Sequence, residues 1–174
     1  MKYNKYKDAK SLKTELANGE IEPVVDLLKI INIVLTDSLK AKIDGIHAHF
    51  KTLKHDNMSG ILTLEEFSAK KNLITRNTTV FIDRLFNFFT PEEFEKAVNF
   101  SSFFEEGAES YRKKKWKESL YSFKKAQLSY IPKFEKVAFE LNTKLSLVNA
   151  QISLDEHKIF FCNTHEALET TSKL

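Results

Sequence analysis

Glycine and proline are scarce in this chain, and this scarcity is the strongest constraint on its fold. The 174 residues include only four Gly and three Pro. Few tight turns or strand bends can be built from so few of these residues, and the long stretches between them favour helices. Fifteen Phe residues supply bulk for a core without β-structure. The sequence therefore predicts an all-α fold of about eight or nine helices.

Charges of both signs are interspersed along the chain. It has 27 basic and 24 acidic residues, a net charge of +3. This balance argues against nucleic acid as the partner. The one basic run, residues 112–115, is interpreted as a solvated helix end, because lysines complement the dipole at a helix C-terminus.

The cysteine content and the hydropathy of the chain indicate in which cellular compartment to expect the protein. A single cysteine, Cys162, cannot form an internal disulfide, and no charged-then-apolar signal sequence opens the chain. The most apolar run, from Val24 to Leu35, is too short and too often interrupted to cross a bilayer. A cytoplasmic protein without a membrane-spanning segment is expected.

The sequence of the N-terminal half predicts a bundle of four helices. Asn18-Gly19 is a typical stop for the first helix, and Pro23 lies in the first turn of the second. A third, amphipathic helix is predicted over about 37–54. Thr63 and Glu66 then form a capping box that begins a fourth helix, which runs to about Phe88.

The segment around Gly60 can be interpreted in two ways. With Gly60 at the sixth position of an EF-hand loop, Asn57, Ser59 and Glu66 fall at ligand positions for calcium. Position one, however, falls on His55, and calcium prefers oxygen to imidazole nitrogen. In the other interpretation Gly60, Thr63 and Glu66 form a structural corner between two helices, and we favour this one.

Residues 12–85 resemble effector-associated domain 11, a helical adaptor family of bacterial conflict systems. The resemblance is carried by the segments 17–22, 43–53 and 60–67, and by Asn72, Ile74 and Leu85. In that family the glycine-isoleucine step before a paired-glutamate helix start is a connecting corner and not an ion site.

The resemblance implies a small helical bundle that recruits an effector by pairing with a like domain on another protein. Effectors in such systems are protease-like or nuclease-like enzymes, often in antiviral defence. The implied function is a non-enzymatic adaptor whose partner is a protein, without a cofactor or a small-molecule substrate. A degenerate EF-hand module that responds to calcium is the alternative.

The C-terminal half is predicted to begin with a helical hairpin. Thr90 and Glu93 form a second capping box, with Pro91 at the first helical position, so Phe89-Thr90 is a candidate boundary between domains 1–89 and 90–174. Beyond it, the hairpin packing residues Gly107, Trp116, Phe123 and Ala126 are spaced as in a tetratricopeptide repeat, which this region resembles.

Two further helices are predicted after the hairpin, over 134–152 and 153–173. A third capping box at Ser153 and Glu156 would begin the second of them.

No catalytic constellation can be recognised in the sequence. Cys162 and His165 are three residues apart on one predicted helix, so they could be neighbours, but no glycine-rich turn nearby could form an oxyanion hole. Cys162 is expected in the core instead. Together with His157, these residues would lie on a single helix at spacings that do not converge on one metal ion. We therefore predict no catalytic residue, no metal site and no cofactor.

Overall fold

The computed structural model describes residue 6 and residues 8–171, without the side chains of residue 136 and of residues 158–171. Seven α-helices and no strand occur in this part of the chain, which confirms the all-α fold. The helices are α1 (Ala9–Ala17), α2 (Ile21–Ile30), α3 (Asp37–Met58), α4 (Leu64–Phe88), α5 (Pro91–Arg112), α6 (Trp116–Leu128) and α7 (Glu135–Thr171), with 3-10 turns at Ile31–Val34 and Pro132–Phe134. None of the helices within the described range combines the length and the apolar character that crossing a membrane requires.

The C-terminal region corrects one prediction. The structure has a single continuous helix of 37 residues, α7, where the sequence analysis expected two. No Gly or Pro interrupts it, and Gln151 donates a hydrogen bond to Asp155 across the expected break. Because the backbone amide groups of Ser153 and its neighbours bond within the helix, no capping box is needed there. The predicted box at Ser153 and Glu156 is therefore wrong.

Three of the helices end in the same way, with a residue in the left-handed conformation. Gly19, Gly60 and Lys114 have φ values of 83°, 66° and 58°. At Lys114 the two hydrogen bonds of a Schellman motif are present: Lys114 N–H donates to the Tyr111 carbonyl at 3.0 Å, and Lys115 N–H to the Ser110 carbonyl at 2.9 Å. The basic run therefore ends α5 and turns into α6, as predicted, but with a lysine at the position that favours glycine.

The substitution Lys114→Gly is expected to stabilise the protein by about 0.5–1 kcal/mol, because glycine adopts positive φ without the steric cost that a Cβ brings. The measurement is the free energy of unfolding by urea denaturation. Lys113→Gly is the matched control, since Lys113 has a φ of −83°. If the two substitutions changed the stability equally, backbone strain at Lys114 would not be the cause.

The buried residues of both halves form one continuous core. In the N-terminal half, α1 packs on α4 and α2 packs on α3, while the 3-10 turn at Ile31–Val34 contacts both α5 and α7. Phe89, at the end of α4, and Phe100, in α5, both lie against the ring of Phe134, at centroid distances of 6.2 and 5.2 Å. The Phe89-Thr90 corner is thus a sharp change of direction with apolar packing on both sides. The division into 1–89 and 90–174 stays a prediction.

Lys133 ties the two sides of this corner together. Its Nζ donates to the Phe88 carbonyl at 2.8 Å, at the end of α4, and to the Glu93 carboxylate at 2.6 Å, in the first turn of α5. The same ammonium group lies 5.4 Å from the ring centroid of Phe88. One side chain from the 3-10 turn before α7 therefore contacts both helices that meet at the corner.

Low pH should weaken the contact between Lys133 and Glu93, and a substitution of Glu93 can test this. The pKa of Glu93 is held below its ordinary value of 4.5, first by the Lys133 ammonium and then by the Thr90 backbone amide. A carboxyl group with a lowered folded pKa stabilises the fold above its unfolded pKa, and this stabilisation is lost as the pH falls through the folded value. The Glu93→Gln variant can keep the capping box. When the pH is lowered from about 7 to about 3, we expect its melting temperature to fall less than that of the wild type. Glu92→Gln is the control, and an equal acid sensitivity in Glu93→Gln and wild type would refute the idea.

Candidate interaction surfaces

The four residues predicted to pack the hairpin lie in or beside the contact between α5 and α6. A Cβ atom added at Gly107 would come within 2.7 Å of the Phe123 ring, so the absence of a side chain sets how closely the helices approach. Phe123 and Ala126 are fully buried, and Trp116 is half-buried against Tyr111 at a centroid distance of 5.3 Å. The likeness to a tetratricopeptide repeat stays a prediction.

Ser119, where that repeat usually has alanine, has a specific role in this crossing. Its side chain is fully buried, and its Oγ donates a hydrogen bond to the Gly107 carbonyl at 2.8 Å. The hydroxyl group therefore has the partner that a buried polar group needs.

At the Gly60 corner the backbone turns through a Schellman motif. Ile61 N–H donates to the Asp56 carbonyl at 3.0 Å, and Gly60 N–H donates to the Asn57 carbonyl at 3.2 Å. The capping box follows: Thr63 N–H donates to Glu66 Oε2 at 2.9 Å, and Glu66 N–H donates to Thr63 Oγ1 at 3.2 Å. The Thr63 backbone amide, followed by its hydroxyl group, holds the pKa of Glu66 below the ordinary range.

The proposed calcium positions have a different geometry from an ion loop. His55 and Asn57 lie in the last turn of α3, and Ser59 caps its C-terminus. One of the two Glu66 carboxylate oxygens, Oε2, accepts bonds from the backbone and the hydroxyl group of Thr63, whereas the last position of an ion loop uses both oxygens. This geometry favours the corner interpretation of Gly60, Thr63 and Glu66.

Loss of the Thr63 cap should destabilise the fold whether or not calcium is present. We expect Thr63→Ala to lower the free energy of unfolding by about 1 kcal/mol, because the Glu66 amide group loses its partner. Urea denaturation with millimolar calcium and with a chelator measures this. Thr52→Ala, at an exposed position in the interior of α3, is the control. A loss that appeared under only one of the two conditions would restore the EF-hand interpretation.

The corner also exposes apolar side chains. Ile61 is mostly exposed, as are Met58 and Leu64 on either side of it. The interpretation of the corner as structural did not predict the exposure of these three side chains.

A second exposed surface is a groove between α3 and α4, which we call the α3–α4 groove. Its walls are formed by residues 41–49 of α3 and 73–84 of α4, and its volume is about 500 Å³. A Cβ atom added at Gly45 would have no neighbour within 4 Å, so the groove is open at this point. Leu73 and Val80 expose 57% and 47% of their surface along its α4 wall.

The charged residues that line the groove are all basic. They are Lys42 on α3, and Arg76 and Arg84 on α4. Two acidic residues are next to groove residues in the sequence, and both have partners outside the groove: Asp44 pairs with Lys29 at 2.6 Å, and Asp83 pairs with Lys13 of α1. The groove therefore combines apolar side chains with cations that no carboxylate neutralises within the described part of the chain.

The groove was not predicted from the sequence, although the sequence contains a signal for it. Leu73, Arg76, Val80 and Arg84 recur at intervals of three and four, which places them on one stripe of α4. This stripe lies beside the buried one, and a periodic pattern alone does not show which stripe of a helix stays exposed.

Among the side chains that the structure describes, no cluster of three or more His, Cys, Asp or Glu could hold a metal ion. The side chains of Cys162 and His165, weighed above as a catalytic pair, lie outside the described residues.

Comparison with known proteins gives one result. Residues 7–86 match the model of the family described as effector-associated domain 11. No curated protein and no solved structure matches the chain. The matched range contains α1 to α3, the Gly60 corner, the α3–α4 groove and nearly all of α4. This match confirms, over residues 7–86, the resemblance noted in the sequence.

Proposed function

We propose that this protein is a non-enzymatic adaptor that recruits an effector through its N-terminal helices. The observation that carries the proposal is the match of residues 7–86 to an effector-associated domain. The exposed apolar side chains of the Gly60 corner and the α3–α4 groove fall within this range and support a protein partner.

The proposal extends to the kind of partner and system. The partner is an effector that carries a similar helical domain, protease-like or nuclease-like, in a cytoplasmic antiviral defence system of a bacterium. In this scheme the C-terminal helices stabilise the first bundle through the shared core, or dock a different protein.

Co-purification tests this function. The full chain, tagged at its N-terminus, is mixed with each product of the neighbouring genes, expressed separately. We expect it to retain a product that carries an effector-associated domain, and not the same product after deletion of that domain. Retention of no such protein, or retention that survives the deletion, would contradict the adaptor function.

A further inference from the structure

We propose that the α3–α4 groove binds an acidic amphipathic helix of a partner protein. The inference deepens the adaptor function and rests on it for the identity of the partner. It makes a separate claim about chemistry, namely that the ligand is a helix with apolar side chains on one face and carboxylates at the margins.

The size of the groove suits a helix. From Leu73 to Arg84 the α4 wall extends about 16 Å, which corresponds to about three helical turns of a bound segment. Along this wall, Leu73 and Val80 are exposed and one repeat of seven residues apart. Helices that dock in grooves use apolar anchors at matching spacings of three, four and seven residues.

Gly45 leaves the depth that such a helix needs. Within a helix interior, glycine is less favourable than alanine by about 1 kcal/mol. Nothing in the described structure lies close enough to require a glycine there for packing. The space above Gly45 is thus available for an anchoring side chain of the ligand.

The charge distribution selects an acidic partner. Lys42, Arg76 and Arg84 line the groove, and none has an ion pair or a hydrogen bond with another described residue. By contrast, four lysines elsewhere on the same half of the molecule are paired with carboxylates: Lys13, Lys29, Lys54 and Lys70. Carboxylates on a bound helix would give the groove cations the partners that the chain itself does not supply.

Two other occupants fit less well. If two copies of this chain met groove to groove, their cations would face each other, and such like-charge contacts are unfavourable. Nucleic acid would use the cations, and His49 could stack on a base, but Leu73 and Val80 would have no apolar partner. An acidic helix uses both the charges and the apolar side chains.

The test uses three synthetic peptides of about 14 residues, roughly four helical turns. All three carry leucines at the same helical spacing, and their other face carries Glu, Gln or Lys. Fluorescence anisotropy measures their affinity for the full chain. We expect the Glu peptide to bind at least about tenfold more tightly than the Gln peptide, and the Lys peptide to bind more weakly still.

Variants then locate the binding. Gly45→Leu fills the groove and Arg76→Glu reverses a charge, and each should weaken binding of the Glu peptide by about tenfold or more. The matched control for Arg76→Glu is Arg112→Glu, at the end of α5. Thermal melts confirm that each variant is folded.

Several outcomes would overturn the inference. They are no binding of the Glu peptide, equal binding of the three peptides, equal losses in groove and control variants, or tighter binding of a single-stranded oligonucleotide that Arg76→Glu abolishes. If co-purification of an effector succeeds but groove variants leave it unchanged, the groove inference fails and the adaptor function stands. If the Glu peptide binds in the groove but no protein with an effector-associated domain is retained, the adaptor function fails and the groove inference stands.

Discussion

Phe134→Ala is expected to destabilise the protein by about 3–5 kcal/mol, because it removes a buried aromatic side chain and leaves a cavity. The Phe134 side chain is only 1% exposed and lies between Phe89 of the N-terminal half and Phe100 of the C-terminal half. Both halves lose contacts with this ring. Because the rest of the core is still shared, we expect the two halves to unfold together in one transition. Urea denaturation, followed by circular dichroism and by Trp116 fluorescence, measures both the loss and the cooperativity.

Phe139→Ala provides the matched control for this prediction. Phe139 lies five residues further along the chain, and its side chain is 80% exposed. The same substitution there should change the free energy of unfolding by less than about 0.5 kcal/mol. Two separate transitions in the wild-type protein, one for each half, would show that the shared core does not couple them.

Gly107→Ala and Gly45→Ala should have opposite effects on stability, although both replace a glycine in the interior of a helix. At Gly107 the new methyl group would meet Phe123 at 2.7 Å, and the fully buried ring has little room to move. Overpacking of this kind costs about 1–3 kcal/mol. At Gly45 the methyl group meets nothing within 4 Å, so the variant should gain about 1 kcal/mol from the better helix propensity of alanine.

The difference between the two variants is the informative quantity. Because the helix-propensity gain is shared, the gap in their free energies of unfolding reports the steric cost at the crossing of α5 and α6. A stabilised Gly107→Ala variant would mean that the helices can separate without loss, and that Gly107 is not what sets their distance.

Local signals in the sequence predicted the helix ends well. Thr63 with Glu66, and Thr90 with Glu93, form the capping boxes that the residue types indicated, and Gly19 and Gly60 end the helices before them. These features depend on residues that are close in sequence. Short-range hydrogen bonds therefore determine where these helices begin and end, independently of tertiary packing.

Features that depend on tertiary packing were harder to predict. Ser153 and Glu156 match the pattern of a capping box, yet α7 runs through them, because a continuous helix satisfies the same backbone groups. The α3–α4 groove was missed for a related reason. Periodicity shows that Leu73 and Val80 lie on a helix, but only the arrangement of α3 and α4 shows that no described element covers them.

The contact of the 3-10 turn at Ile31–Val34 with α5 and α7 has a consequence for dissecting the molecule. A fragment that ended at Phe89 would uncover this turn and the Phe89 ring, and these newly exposed apolar surfaces would attract other apolar surfaces without specificity. Binding seen with such a fragment could therefore come from the cut face and not from the natural docking surface. Partner studies are better made with point substitutions in the whole chain, and a chimera that exchanges the N-terminal helices should also carry the residues of α5 and α7 that cover this turn.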